Sequence, residues 1–133
     1  MSKDLFNLLE EKIQEAYSEH ITMDQAEKLA GQFLHAQLIV NKELSTLGLE
    51  ARMRKSGLKG VRGAIYLEES RKGEKKPTEA TLTALLDTHD LVSSEQNRLD
   101  EAENKVEELE RYYSIFQNAH IFFRTLARGS FNS

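Results

Sequence analysis

Leu5, Phe6, Leu8, Leu9, Ile13 and Ala16 recur at helical spacing with Glu and Lys between them. This predicts a first amphipathic helix within residues 1–20, about four turns long, ending near Ser18-Glu19-His20. Thr22-Met23-Asp24-Gln25 follows with the form of a capping box, Thr22 capping a new helix and Gln25 returning a bond to its backbone. From there Leu29, Phe33, Ala36 and Val40 step by fours and threes, and the stripe resumes through Leu44, Leu47 and Ala51 after a local slip. That is a coiled-coil-like seam with a stutter. No strong stop intervenes before Ser70, so one long helix is expected over residues 23–70, either continuous or with a kink or break near Gly57 to Gly63.

Arg71-Lys72-Gly73-Glu74-Lys75-Lys76-Pro77 is polar, carries the only proline and has no periodicity, which makes residues 71–77 a loop. Thr78 then caps a short helix through Leu82, Leu85 and Leu86, with a turn near Asp87-Thr88-His89-Asp90 and Ser93 or Ser94 as the next cap. The last helix has the longest pattern: Leu99, Ala102, Val106, Leu109, Tyr113, Phe116, His120, Phe123 and Ala127 alternate threes and fours. Beyond Arg111, Tyr112, Ile115, Ile121 and Phe122 make it apolar on more than one side. Leu109, Tyr113, Phe116, His120 and Phe123 are therefore expected as a core or oligomer seam, buried on two faces in a bundle or between subunits. Residues 78–129 read as a C-terminal region for packing and oligomerisation, with Gly129 closing the helix.

The fold class implied is all-α: an elongated helical hairpin or bundle with coiled-coil-like seams, oligomeric, in a single domain over residues 1–133. There is no cysteine, which excludes disulfides, thiolate metal sites and cysteine nucleophiles. The N-terminal residues lack a signal-peptide core, and no window approaches the roughly 20 apolar residues of a membrane span, so a cytoplasmic, non-membrane protein is expected.

Charge changes the picture more than composition does. The net charge is -4, yet residues 50–77 hold nine Lys or Arg against four Glu, whereas residues 95–111 hold seven acids against three bases. A basic stripe on an acidic body can bind a polyanion at one place and repel it elsewhere. Within the stripe, Arg52, Arg54, Lys55, Lys59 and Arg62 are interleaved with Gly57, Gly60 and Gly63, and Tyr66 closes the run without an intervening acid. Two readings stand side by side. In one, the glycines clear bulk so that a neighbouring helix packs closely. In the other, the cations contact phosphates along a groove whose floor glycine keeps low, and Tyr66 offers a face for a base to stack on.

Other chemistry finds little purchase. His20, His35, His89 and His120 form no i, i+4 pair and no His-Glu-x-x-His pattern, so no metal site is expected. Glu68-Glu69 and Glu107-Glu108-Glu110 sit among Lys and Arg and read as solvated ion-pairing faces. The glycine spacing fits neither a phosphate loop nor a dinucleotide fingerprint. No enzyme and no cofactor are expected.

Over about residues 52–131 the order of features resembles the phage recombination mediator family typified by UvsY of the T-even phages. The likeness lies in the basic helix with Arg62-Gly63-Ala64-Ile65-Tyr66, the polar loop Ser70-Arg71-Lys72-Gly73-Glu74-Lys75-Lys76, the fresh start at Pro77-Thr78-Glu79-Ala80-Thr81, and the close on Ala119-His120-Ile121-Phe122-Phe123-Arg124-Thr125-Leu126. The resemblance implies a non-enzymatic protein that binds single-stranded DNA as a ring-like homo-oligomer of six or more subunits. It also implies that the protein helps a RecA-like recombinase displace single-strand-binding protein, in the cytoplasm of a phage-infected bacterium. The family's DNA contact is a Lys-Ala-Arg element followed by tyrosine. Arg62 and Tyr66 match its Arg and Tyr, whereas its Lys falls on Gly60 here, with Lys59 one residue early. A second expectation comes from another class: a helical phage assembly protein or anti-host inhibitor that acts through protein contacts.

Overall fold

The structure is a computed structural model that describes residues 3–18, 20–73 and 75–129. Glu19 at the expected end of the first helix, Glu74 of the polar loop and Phe131, where the resemblance closes, lie outside the described residues. Among the described residues there are four helices and no strand: α1 (Lys3–Ser18), α2 (Met23–Ser70), α3 (Glu79–Thr88) and α4 (Asp90–Ala127). The all-α class is as expected. None of these helices is long and apolar enough to cross a membrane.

The capping box forms as its sequence predicts. The Gln25 N–H donates to Thr22 Oγ1 at 3.2 Å, and the Thr22 N–H donates to Gln25 Oε1 at 2.9 Å. From this start α2 runs for 48 residues, about 72 Å at the helical rise. It runs unbroken through Gly57, Gly60 and Gly63. Leu58 and Ile65 lie within the same turns and are buried at 8% and 6% exposure. Each glycine costs about 1 kcal/mol of helix propensity, and each buried Leu or Ile returns roughly 1.5–3 kcal/mol. Tertiary burial therefore carries the helix through its weakest stretch.

The chain divides into two compact units. The first takes in the chain up to Ser45 and again from Glu107 onwards, so α1, the start of α2 and the end of α4 build it. Phe6, Phe33, Phe116 and Phe123 are all but fully buried in its core. Phe116 holds them together, with ring centroids 5.5 Å from Phe6, 5.7 Å from Phe33 and 5.7 Å from Tyr112. The C-terminal half of α4 thus meets α1 on one side and α2 on the other, which answers its two-sided apolar pattern within a single bundle.

Two expected positions of the α4 seam are displaced. Tyr112 and Ala119 are buried, whereas Tyr113 and His120 are half-buried beside them. Tyr112 faces Phe6 at 5.1 Å, and its hydroxyl donates to Asn7 Oδ1 at 2.9 Å, so its polar end is satisfied on entering the core. His120 bonds through Nδ1 to the carbonyl oxygen of Ala30 at 2.9 Å; because a carbonyl only accepts, Nδ1 carries the proton. On α1 the inward residues are Phe6 and Leu9, while Leu5 and Leu8, expected on the same stripe, are exposed.

The second unit spans Thr46–Val106 and contains the rest of α2, all of α3 and the start of α4. Leu58, Ile65, Leu86, Val92 and Leu99 form its buried cluster, with Val61 and Tyr66 packed against it. The polar loop turns at Gly73, whose φ of 82° suits glycine. Thr78 caps α3 as expected, accepting from the Thr81 N–H at 3.2 Å. The break before α4 is shorter than expected and uses neither Ser93 nor Ser94. His89 alone separates the helices: its N–H donates to the Leu86 carbonyl, its Nδ1 accepts from the Leu91 N–H and its carbonyl accepts from the Ser93 N–H.

Candidate functional site

Continuity of α2 turns the basic stretch into three stripes, each stepping by alternate threes and fours. Ala51, Arg54, Leu58, Val61 and Ile65 extend the packed seam, none of them fully exposed. One position further on, Arg52, Lys55, Lys59, Arg62 and Tyr66 share a flank of the helix. Leu49, Met53, Ser56, Gly60, Gly63 and Leu67 lie on the outward side, all of them exposed.

The second stripe unites five of the six cations and aromatics singled out in the sequence. Lys55, Lys59 and Arg62 line a groove of about 510 Å³ together with Ser56, and its floor is apolar, made by Leu58 of α2 and Leu99 of α4. Arg62 also borders a smaller recess with Asp87, Val92, Ser93, Gln96 and Asn97. Arg54 is not part of this arrangement. It stands half-buried on the seam stripe and lines a separate groove with Thr46, Leu49, Glu50 and Met53. A long aliphatic stem lets an arginine occupy such a position while its head reaches water.

The glycines do not form the floor of the basic groove, and among the described residues no other helix packs on them. A Cβ added at Gly57, Gly60 or Gly63 would meet nothing within 4 Å. The reading in which they seat a neighbouring helix of the same chain is therefore excluded. What they leave is a bulk-free strip bounded by Leu49, Met53 and Leu67, which are 52%, 65% and 52% exposed.

Among the described residues Arg52, Arg54, Lys55 and Lys59 have no hydrogen-bond or ion-pair partner, so their charge is available to a ligand. Arg62 and Tyr66 are already engaged. Both terminal nitrogens of Arg62 lie 3.3 Å from Asp87 Oδ1, and the Tyr66 hydroxyl donates to Glu79 Oε1 at 2.7 Å. That hydrogen bond, aided by desolvation and by the carboxylate's charge, raises the Tyr66 pKa above the usual phenol value, so the ring remains neutral. Lys72, at the edge of the polar loop, is bound by Glu69 at 2.9 Å, and this bond is the main reason its pKa is raised.

Asp87, Glu79, Leu58 and Leu99 complete the site and were not among the candidate binding residues read from the sequence. A signal for the two acids existed, because Glu79 and Asp87 flank the Leu82/Leu86 stripe by which α3 docks. The histidines stay dispersed in role: His20 and His35 are exposed, His89 caps two helices and His120 bonds to Ala30. Among the described residues no three His, Asp or Glu side chains gather as a metal site would require. Comparison with protein-family models, curated proteins and solved structures finds no match.

Proposed function

We propose that this protein is a single-stranded DNA-binding recombination mediator. It helps to load a RecA-like recombinase onto DNA covered by single-strand-binding protein, and it works without enzymatic chemistry or a cofactor. The observation that carries the reading is the flank of α2 on which Arg52, Lys55, Lys59, Arg62 and Tyr66 fall in register over about 21 Å. Cations at one-turn intervals follow a phosphate backbone, and an apolar floor between them receives the face of a base without regard to its identity. The resemblance to the UvsY-type family adds the biological setting, the cytoplasm of a phage-infected bacterium, and a ring-like homo-oligomer of six or more subunits. Oligomerisation multiplies a modest contact per subunit into useful avidity.

The test is a fluorescence-anisotropy titration with a labelled oligo-dT strand at several salt concentrations. Changing Arg52, Lys55 and Lys59 together to Ala is expected to abolish most of the binding. It should also flatten the salt dependence by about 2 log units per log of salt, since each phosphate contact on a single strand contributes about 0.7. Unchanged affinity and slope in that variant would sink the reading.

A second reading has its own observation. The outward stripe of α2 presents exposed Leu49, Met53 and Leu67 around a glycine strip, a surface suited to protein contact in a helical assembly or inhibitor protein. Absence of oligo-dT binding by the unaltered protein at low salt would favour it.

A further inference from the structure

Arg62 and Tyr66 are the two positions on which the resemblance and the basic flank converge, and α3 holds both. Asp87 takes the guanidinium from one end of the helix, and Glu79 takes the phenol from the other. A carboxylate presents the same ligand chemistry as a backbone phosphate, an anionic oxygen that accepts from guanidinium or hydroxyl. We infer that α3 is a built-in competitor for the DNA strand, with Asp87 and Glu79 standing in for phosphates on Arg62 and Tyr66 in the free protein. This inference rests on the DNA-binding reading and concerns the regulation of that site.

The exchange takes place at the level of side chains. Leu82 and Leu86 are buried at 1% and 7% exposure and keep α3 docked, and His89 alone joins it to α4. The Arg62–Asp87 pair, by contrast, is open to water, with side chains 35% and 59% exposed. Exposed pairs of this kind are weak. A strand already drawn in by Arg52, Lys55 and Lys59 therefore has little to overcome in taking Arg62 from Asp87. The competitor sets a threshold: a lone anion gains nothing over the resident carboxylates, whereas a polyanion that engages several cations at once displaces them.

The experiment measures oligo-dT affinity against salt for the full chain and for Asp87→Asn, Glu79→Gln and the double variant. These replacements are nearly isosteric, so the docking of α3 through Leu82 and Leu86 is retained. The double variant is expected to bind about 3- to 10-fold tighter, the gain from releasing two weak contacts. Its salt slope should stay that of the unaltered protein, because Arg62 reaches a phosphate in both complexes and only the cost of leaving Asp87 is removed. Adding Arg62→Ala to Asp87→Asn should erase the gain of the latter. Glu101→Gln, which removes one exposed acid of α4, should leave affinity unchanged and so exclude an effect of net charge. If the unaltered protein binds and the double variant matches it in affinity, the competitor is overturned and the DNA reading stands. The competitor is equally overturned if the gain survives loss of Arg62 or appears to the same extent in Glu101→Gln. If neither the unaltered protein nor any variant binds at low salt, both fail.

Discussion

Phe116→Ala is expected to remove about 3–5 kcal/mol of stability, enough to leave the first unit largely unfolded if the total lies at the lower end of the usual 5–15 kcal/mol. The ring is fully buried and stands between α1 and α2, with Phe6, Phe33 and Tyr112 all within 5.7 Å of its centroid. Truncation forfeits its burial, leaves a cavity walled by three other aromatics and removes three pair interactions worth about 0.5–1.5 kcal/mol each beyond area alone. Those rings belong to separate helices, so the gap cannot close by moving one of them. Urea unfolding followed by circular dichroism checks this through the midpoint. Ile121→Ala, on the same helix but 47% exposed, should cost well under 1 kcal/mol by the usual scale of surface substitutions. Similar losses from both would mean that α4 does not pack as described.

Gly57, Gly60 and Gly63 changed together to Ala should raise stability by about 1.5–3 kcal/mol, the sum of three helix-propensity gains of 0.5–1 kcal/mol each. The sign follows from two observations. All three residues lie inside a continuous helix without positive φ, and an added methyl meets nothing within 4 Å at any of them. Thermal unfolding should therefore shift upwards by several degrees. A loss of stability instead would mean that another backbone lies against this strip in solution. The same variant is informative for binding, because a strip kept open for a ligand should lose affinity even as the fold gains.

Much of this fold is legible where the signal is local. The capping box at Thr22 and Gln25 needs only residues three apart, and the loop at 71–77 needs only its composition. The α4 seam is half legible, for a clear reason: steps through Tyr112 and Ala119 alternate threes and fours just as steps through Tyr113 and His120 do. Only Phe6 and Asn7, more than a hundred residues away, select the first. The glycines leave a similar ambiguity. Their propensity cost is local, but what outweighs it is burial of Leu58 and Ile65 against α3 and α4. At the candidate site the cations are visible as a run, whereas their sorting is not. Continuity of α2 moves Arg54 to the seam, and the carboxylates that hold Arg62 and Tyr66 come from positions 25 and 13 residues further on.

The hydrogen bonds Tyr112–Asn7 and His120–Ala30 span 105 and 90 residues of chain. During synthesis, at about 5–20 residues per second, Phe6 precedes Phe116 by roughly 5–20 s. Until then Phe6 and Phe33 have no α4 to cover them, and α1 emerges as an amphipathic segment with its sticky side bare. The second unit meets a shorter delay, because it is one continuous segment, Thr46–Val106, and its contacts close within it. A helical unit whose α1 waits about a hundred residues for the α4 segment that covers it carries a high contact order and is slow to close for its class.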